Sequence, residues 1–310
     1  MITRSRRNVL RAALQAAVGL SLGGSGARAL FAQPPVTAAG AELGADFHVL
    51  EAGRINVLAV QCGDGLALVD GGAAADSAKL LEAANALARG AKIRTLFNTH
   101  WHPEQTGSNQ ALRKAGATIV AHENTRLWLT EDVTWPWNNE TVKHLPEGAR
   151  PNKTFYTDLE LTLDGKRVRC AHLRDCPHTD GDIYVFFPDD NVLAVGDAVY
   201  GVGWPSIDWW TGGWIGGLVG GLETLLTVAN EDTRVVPARG PVLGYKDLRR
   251  QYDMYGTIWQ RLVKKLYGGG SPDEAVAARP TQEFDDIMGP SEDFVRRAFQ
   301  SLWAYLSPDA

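Results

Sequence analysis

Two histidines one residue apart mark the stretch that decides the fold, NTHWHPEQTGSN at residues 98–109. His100 and His102 directly follow the apolar run IRTLF. Residues i and i+2 of an extended strand share a face, so both imidazoles can point at one ion. The next polar residues are Glu104 and Gln105, an acid and an amide. The stretch therefore predicts a metal site, or half of one, at the end of a strand.

Three further segments are predicted strands that end in a turn carrying a polar residue. They are CPHTDGD with His178, AVGDAVY with Asp197 and VPARGP with Arg239. Polar side chains gathered from the ends of several strands form an active site on a rigid scaffold. Three neutral imidazoles and an open position are typical of a catalytic zinc site, and Asp197 can complete the set as a carboxylate ligand.

The order of the predicted elements indicates the architecture. Strands are predicted at FHVLEA, INVLAVQ, LALVDGG, IRTLFNTH and ATIVAHE, with helices at ADSAKLLEAANALARG and TGSNQALRKAG. A long aromatic loop follows at residues 130–152. After it, strands are predicted at LELTLDGKRVRCAHL, DIYVFFPDD, NVLAVGDAVY and TRVVPARGP, with a helix at LETLLTVANE before the last of them. Helices dominate from Leu248 onward. Two strand-then-helix halves predict two sheets packed face to face with helices outside, a four-layer αββα sandwich of the α/β class.

The N-terminus reads as an export signal. Paired arginines, Arg6 and Arg7, precede a mildly apolar stretch and then small residues up to Ala29 or Ala32. A basic leader without function explains the arginines but not this order, which is typical of a twin-arginine signal peptide. The apolar stretch is too short and too rich in glycine and alanine to span a membrane. We expect residues 1–32 to be a signal peptide, residues 33–310 to form one domain with a helical C-terminal segment, and the protein to act in the periplasm.

Net charge predicts the kind of partner, and cysteine spacing predicts the state of the thiols. The chain has a formal net charge of −5 while residues 1–29 contain five arginines and no acid, so the exported part is at about −10. Such a surface repels polyphosphates, which excludes nucleic acid, and we expect a small-molecule substrate and no integral membrane segment. Cys170 and Cys176 lie too far apart along one extended segment to bridge, so with Cys62 they are predicted to be unbridged. The oligomeric state is left open.

The motifs LALVDGG, THWH, AHENT, HTDGD, VGD and P-x-x-G-P occur in this order between about Phe47 and Arg250. Through them the chain resembles the metallo-β-lactamase fold superfamily of hydrolases. The resemblance implies an αββα sandwich with one or two metals at the sheet edge, where a metal-bound hydroxide hydrolyses lactams, thioesters, lactones or phosphodiesters. It also implies roles for individual residues: His100, His102 and His178 as metal ligands, Asp197 as the bridging acid and Asp70 as an acid that supports the site from behind.

The second metal position departs from that family. Glu104 stands where the family has Asp, and Gln105 and Arg239 stand where it has His. Arginine stays protonated and cannot ligate a metal. Paired metals lie about 3.5–4 Å apart, so a guanidinium and a second ion cannot share that space. We expect Arg239 to bridge Glu104 and Asp197 by bidentate hydrogen bonds and to replace the second metal, and Gln105 to act as a hydrogen-bonding group.

The expected function is hydrolysis of a small acyl substrate, a lactam, lactone or thioester, with one zinc ion. Iron or manganese are alternatives because imidazole and carboxylate bind all three metals. Glu104 is expected to orient water or accept its proton, Arg239 to bind a substrate carboxylate or a developing oxyanion, and Asp197 to act with them. The alternatives are a non-catalytic binding protein that uses the same cleft and, more weakly, a redox or oxygen-handling protein.

Other polar and aromatic residues have simpler interpretations. A structural role is predicted for His48, His122, His144 and His172. Six tryptophans fall in two loops that can overhang the site and favour an apolar substrate: Trp135, Trp137, Trp204, Trp209, Trp210 and Trp214. Arg296 and Arg297 are predicted to lie on a solvated helix face.

Overall fold

A computed structural model describes residues 38–39, 43–88 and 90–306. The expected signal peptide, residues 1–32, and the expected start of the domain at residue 33 lie outside these residues.

Each predicted strand segment contains a described strand, but LELTLDGKRVRCAHL is a hairpin of two strands, and four short strands were not predicted. The described strands are β1 (Ala38–Ala39), β2 (Phe47–Ala52), β3 (Ile55–Cys62), β4 (Gly65–Val69), β5 (Lys92–Phe97), β6 (Thr118–His122), β7 (Val133–Thr134), β8 (Thr141–Val142), β9 (Lys153–Phe155), β10 (Asp158–Leu163), β11 (Lys166–His172), β12 (Ile183–Phe187), β13 (Val192–Tyr200) and β14 (Arg234–Arg239). One sheet has the order β1-β2-β3-β4-β5-β6-β9, the other β10-β11-β12-β13-β14, and β7 and β8 form a small hairpin. Pairing is antiparallel from β1 to β4 and from β10 to β13, and parallel in the rest of both large sheets.

Helices cover the outer faces of both sheets. The α-helices are Ser77–Ala88, Pro103–Thr106, Asn109–Lys114, Glu123–Trp128, Ile215–Val228, Tyr245–Tyr267, Pro272–Ala277, Asp285–Met288 and Glu292–Leu306, with short 3-10 turns at Ala74–Asp76, Glu147–Ala149 and Trp209–Thr211. No helix among residues 43–88 and 90–306 is long and apolar enough to cross a membrane.

Side-chain alternation along the strands builds three apolar layers. On β3, Leu58 and Val60 point into a core shared by both sheets, whereas Val57 and Ala59 pack under the helix Ser77–Ala88. On β13, Leu193 and its outward neighbours pack instead against the helices Ile215–Val228 and Glu292–Leu306. Successive strand residues face opposite sides of a sheet, so each buried strand contributes to two layers. The predicted four-layer αββα sandwich is confirmed.

Two helices differ from prediction. The helix expected at TGSNQALRKAG is divided into Pro103–Thr106 and Asn109–Lys114, and the helix expected from Leu222 begins at Ile215. Glycine is a poor helix former, but close packing decides here. A Cβ on Gly217 would lie 2.0 Å from the Asp175 carbonyl oxygen, so only glycine allows this helix to reach the segment that leads to His178.

The three cysteines are free, as predicted.

Candidate metal centre

The first two histidines lie in a buried turn immediately after β5. The strand ends at Phe97, so His100 and His102 do not share a strand face as predicted, and His102 instead caps the helix Pro103–Thr106. The side chain of Asn98 fixes this turn by donating hydrogen bonds to the Gln105 carbonyl oxygen at 3.1 Å and to the side-chain oxygen of Asn109 at 3.1 Å. The turn, not strand alternation, therefore aims the two imidazoles together.

Asp70 supports this turn from behind. Its carboxylate accepts hydrogen bonds from the Thr99 backbone N–H at 2.8 Å and from the Thr99 hydroxyl at 2.8 Å. Burial raises the pKa of Asp70 to about 8, although the bonds from Thr99 act in the opposite direction. Gly196 has φ 55°, and a Cβ there would lie 2.5 Å from the Thr99 hydroxyl oxygen. This close approach brings Asp197 beside the turn.

His178 is held by a tight turn of its own. The Asp182 carboxylate accepts hydrogen bonds from the backbone N–H of His178 at 2.7 Å and of Thr179 at 2.8 Å, and from the Thr179 hydroxyl at 2.6 Å. Burial raises the pKa of Asp182, while the hydrogen bonds and His178 counteract that rise. The turn closes the loop between β11 and β12 and points the imidazole toward His100 and His102.

Each imidazole uses one ring nitrogen for a hydrogen bond to the protein. His102 Nε2 lies 2.8 Å from a carboxylate oxygen of Asp208, and His178 Nδ1 lies 2.5 Å from the Ser206 carbonyl oxygen. His100 Nδ1 lies 3.2 Å from the Thr99 hydroxyl, whose own hydrogen goes to Asp70. These acceptors assign a proton to the nitrogen facing them, as such partners do for metal-bound histidines.

In the neutral tautomers that these acceptors favour, the other three nitrogens carry no hydrogen, and they converge with Asp197. His102 Nδ1 faces His178 Nε2 at 3.0 Å, and His100 Nε2 is buried without a hydrogen-bond partner among the described residues. An Asp197 carboxylate oxygen lies 3.5 Å from His100 Nε2 and 3.8 Å from His178 Nε2. The four ligand atoms lie within 4.8 Å of one another. Facing lone pairs in a buried site are costly unless a cation lies among them, so the residues present fit a metal ion.

Burial and neighbouring groups shift the pKa values of two of the histidines in opposite directions. Burial, together with His178, His102 and Arg239, holds the pKa of His100 well below its ordinary value, which keeps the imidazole in the neutral form that ligates. For His102, burial lowers the pKa, but the hydrogen bond and charge of Asp208 outweigh it and raise the pKa. Asp208 therefore increases the basicity of the histidine that it orients.

At the second position, Arg239 and Gln105 contact Asp197, and Glu104 contacts Arg239. Arg239 Nε lies 3.5 Å from one Asp197 oxygen, and Arg239 Nη2 lies 3.8 Å from a Glu104 oxygen. Gln105 Nε2 donates to the other Asp197 oxygen at 3.1 Å, which confirms its predicted hydrogen-bonding role. The prediction that Arg239 forms bidentate hydrogen bonds with the two acids is wrong. Both N–O distances exceed the hydrogen-bond range and correspond to ion pairs.

Tyr200 explains this longer spacing. It is the β13 neighbour of Arg239 in the parallel pairing with β14, and the guanidinium lies 5.8 Å from its ring centroid. Burial lowers the pKa of Arg239, but Asp197, a hydrogen bond with Tyr200 and Glu104 outweigh burial and raise it. One guanidinium is thus shared among three oxygen-bearing side chains.

A cavity of about 170 Å³ opens onto the centre. It is lined by His102, Glu104, Trp135, Trp137, Asn138, His178, Asp197, Tyr200, Ser206, Asp208, Arg239 and Arg297. Of the six tryptophans expected to overhang the site, only Trp135 and Trp137 line the cavity. The other four pack against or within the apolar layer between the second sheet and its helices.

Sequence reasoning missed three functional neighbours, Asp208, Tyr200 and Arg297. Asp208 follows His102 by 106 positions, so no spacing rule connects them. Arg297 was predicted to be solvated with Arg296, but its side chain lines the cavity while Arg296 pairs with Asp273 at 2.7 Å. On a helix, neighbouring residues point about 100° apart, which separates the two arginines.

Comparisons with known proteins give a family match and similar solved folds. The family model described as the metallo-beta-lactamase superfamily matches residues 50–266. A metallo-beta-lactamase from Pontibacter korlensis aligns at 18% identity with a TM-score of 0.59, covering 71% of this chain and 99% of that chain. DIM-1 metallo-beta-lactamase aligns at 17% identity with a TM-score of 0.57, covering 73% and 99%, and TMB-1 at 17% with a TM-score of 0.55, covering 72% and 98%.

At these identities the solved structures are similar to this chain in fold. The family model spans more than half of the sequence and includes all four clustered residues, His100, His102, His178 and Asp197. This chain therefore belongs to the metallo-beta-lactamase superfamily.

Proposed function

We propose that this protein is a hydrolase of a small acyl substrate, a lactam, lactone or thioester, and that it works with a single metal ion. The proposal is carried by one observation: one buried nitrogen from each of three imidazoles converges with an Asp197 oxygen, all within 4.8 Å of one another. His100, His102, His178 and Asp197 would hold the ion. Zinc suits three imidazoles and a carboxylate best, with iron or manganese as alternatives.

A zinc ion held in this way acts as a Lewis acid toward a carbonyl oxygen and lowers the pKa of bound water to about 7. The residues of the chain supply the remaining requirements, which are orientation, charge and a proton acceptor.

Arg239 is proposed to replace the second metal of the family as a fixed cation. Its guanidinium lies within 4 Å of both Asp197 and Glu104, two acids that would otherwise face each other beside the cluster. Gln105, standing where the family has a histidine, donates to Asp197 instead of offering a lone pair. A guanidinium carries a permanent charge but has no open coordination position, so it balances the carboxylates without binding substrate as a metal would.

Glu104 is the proposed proton acceptor. Its side chain is 44% exposed and lines the same cavity as His102 and His178, so a water molecule can reach it. In the proposed reaction the water oxygen bonds to the acyl carbon, and the C–N, C–O or C–S bond breaks. The water proton passes to Glu104 and then to the leaving group. Arg239 lies on the same cavity wall, where it can steady the oxyanion that develops.

We also propose that the protein is exported to the periplasm through the twin-arginine signal of residues 1–32. Support comes from the paired arginines Arg6 and Arg7 and the order of segments after them. Release of the protein into the periplasmic fraction when the outer membrane is opened, lost when Arg6 and Arg7 are both changed to lysine, tests this. Unchanged location of that variant contradicts it.

Turnover tests the proposed activity. We expect the full chain, supplied with zinc, to hydrolyse at least one of a simple lactam, lactone and thioester, and we expect a chelator or the variant His178→Ala to abolish this. A protein that binds zinc through the cluster yet hydrolyses none of the three would be a binding protein in this fold, and the proposal would be wrong.

A further inference from the structure

A second arginine reaches the cavity from outside the family-matched region. Arg297 lies on the C-terminal helix Glu292–Leu306, beyond residue 266 where the family model ends, yet it lines the cavity with His102 and Arg239. Its guanidinium carbon lies 4.5 Å from the ring centroid of Trp137, and its Nη1 donates to the Ser206 hydroxyl at 2.9 Å. Stacking and this hydrogen bond fix one edge of the guanidinium.

The other edge has no partner among the residues that the structure describes. Among residues 43–88 and 90–306, no carboxylate lies within 4 Å of Arg297, and its Nε and Nη2 atoms donate no hydrogen bond. Arg239, in contrast, has two carboxylates within that distance, and the adjacent Arg296 has Asp273. Arg239 is thus engaged with the protein's own acids, whereas Arg297 presents a free donor edge to the cavity.

The surroundings of Arg297 favour an incoming anion. Burial lowers the pKa of its guanidinium, opposed by the more distant charges of Asp293 and Asp208, and arginine nevertheless stays protonated. A partly buried cation without an ion partner gains from binding an anion because part of its hydration has already been lost. Two parallel N–H donors on one edge match the two oxygens of a carboxylate.

We propose that Arg297 binds a carboxylate of the substrate, so that the substrates are small acyl compounds carrying a negative charge. Trp135 and Trp137 flank the apolar part of such a molecule, and the cavity of about 170 Å³ is below the roughly 300–1,000 Å³ of sites for drug-sized ligands. This inference rests on the proposed hydrolase function and moves substrate binding from Arg239, expected from the sequence, to Arg297.

A matched pair of thioesters tests the assignment by turnover. The glutaryl thioester of N-acetylcysteamine carries a carboxylate, and its glutaramoyl analogue carries a neutral amide of nearly the same size. We expect Arg297→Gln to lower kcat/KM for the charged thioester about 10- to 100-fold, mainly through KM, because hydrogen bonds to charged groups are involved. The neutral analogue should change less than about threefold. Arg296→Gln, the neighbouring arginine, is the control and should change neither. Equal losses for both thioesters would overturn the proposal.

Direct binding separates this proposal from the proposed activity. Calorimetric titration of the zinc-loaded full chain with glutaramate, which has one carboxylate, requires no turnover. We expect Arg297→Gln to weaken binding about 10- to 100-fold, Arg297→Lys to weaken it less, and Arg296→Gln to leave it unchanged. If the wild type hydrolyses none of the substrates but loses glutaramate binding in Arg297→Gln, the anion site is supported and only the hydrolase proposal is refuted. Unchanged binding in Arg297→Gln, or tighter Arg297-dependent binding of inorganic phosphate than of glutaramate, would overturn the carboxylate assignment.

Discussion

The two sides of the centre are built on opposite principles. On the first side, His100, His102 and His178 each give one nitrogen to the protein and leave the other facing the cluster without a hydrogen. On the second side, Gln105 and Arg239 offer only donors toward Asp197. The first side needs a metal ion between its nitrogens, whereas the second side already contains the guanidinium of Arg239.

This difference teaches how a two-metal fold can become a one-metal site without collapse. Replacing one ligand histidine alone would leave a buried acid without a cation, which is strongly destabilising. Here an arginine, an amide and a longer acid occur together around Asp197, and their charges balance. Four predictions follow the contrast between the sides, from the largest expected effect to the smallest.

Removing an imidazole from the first side should have the largest effect. His102→Ala removes one ligand nitrogen and frees its partner Asp208, so zinc binding and hydrolysis should fall to background. Zinc titration and turnover measure this. His144→Ala is the control, because that histidine is 55% exposed and pairs with Asp132 on the surface. Retention of tight zinc binding by His102→Ala would break the assignment of the first side.

Removing the group behind the ligand should have a smaller effect. Asp208→Asn keeps the shape but loses the charge that orients His102, and we expect zinc affinity to fall about 10- to 100-fold. A competition titration with a zinc indicator measures the affinity. Asp132→Asn breaks the surface pair of Asp132 with His144, 2.8 Å apart, and should leave zinc affinity unchanged. Equal affinities in both variants would show that the acid near His102 does not act on the ligand.

On the second side, removing the cation should reduce stability. Arg239→Gln leaves Asp197, whose side chain is 2% exposed, without its ion partner. We expect a loss of roughly 1–3 kcal/mol, below the cost of breaking a fully buried pair because Arg239 is 23% exposed. Urea unfolding of the metal-free protein measures the loss.

Arg250→Gln breaks an exposed ion pair with Asp247 and should cost less than about 1 kcal/mol. If Arg239→Gln and Arg250→Gln lower the free energy of unfolding by the same amount, the charge balance proposed for the second side does not hold.

Histidines outside the centre give the smallest effect. His122 and His172 stack 3.9 Å apart, and burial lowers the pKa of both, to about 4 for His172. In the unfolded chain the two imidazoles take up protons at higher pH than in the folded protein. The stability that the neutral imidazoles contribute is therefore present above pH 6.5 and is lost as pH falls toward 4.

His172→Gln should flatten this dependence by less than about 1.4 kcal/mol per pH unit, the limit for one proton. Urea unfolding at several pH values measures it. An unchanged slope would mean that His172 keeps its ordinary pKa in the folded protein.

The sequence predicts the fold better than the site. Strand alternation and turn residues place the long strands of both large sheets, because burial on two faces constrains each position, whereas the short strands of two or three residues are missed. The first two turns of the helix Ile215–Val228 are missed because close packing of Gly217 overrides its low helix propensity. The four clustered residues can be found from motif order, although Asp197 lies within β13 and not, as predicted, in a turn at its end.

Partners that act from distant segments cannot be found in this way. Asp208 and Arg297 reach the centre only through tertiary packing, since neither belongs to a local pattern. The spacing of Arg239 from the two acids is likewise set by its neighbour Tyr200, which no sequence rule connects to it. The functional roles of the site residues stay predictions, for His100, His102, His178, Asp197, Glu104 and Arg239 alike.

Metal stoichiometry tests the central claim most directly. Elemental analysis of the zinc-loaded full chain should give one equivalent per chain, and the triple variant Glu104→Asp, Gln105→His, Arg239→His should bind a second. That second equivalent should appear only when Arg239 is among the changes. Two equivalents in the unaltered protein would contradict the replacement of a metal by Arg239, and none would contradict the metal centre itself.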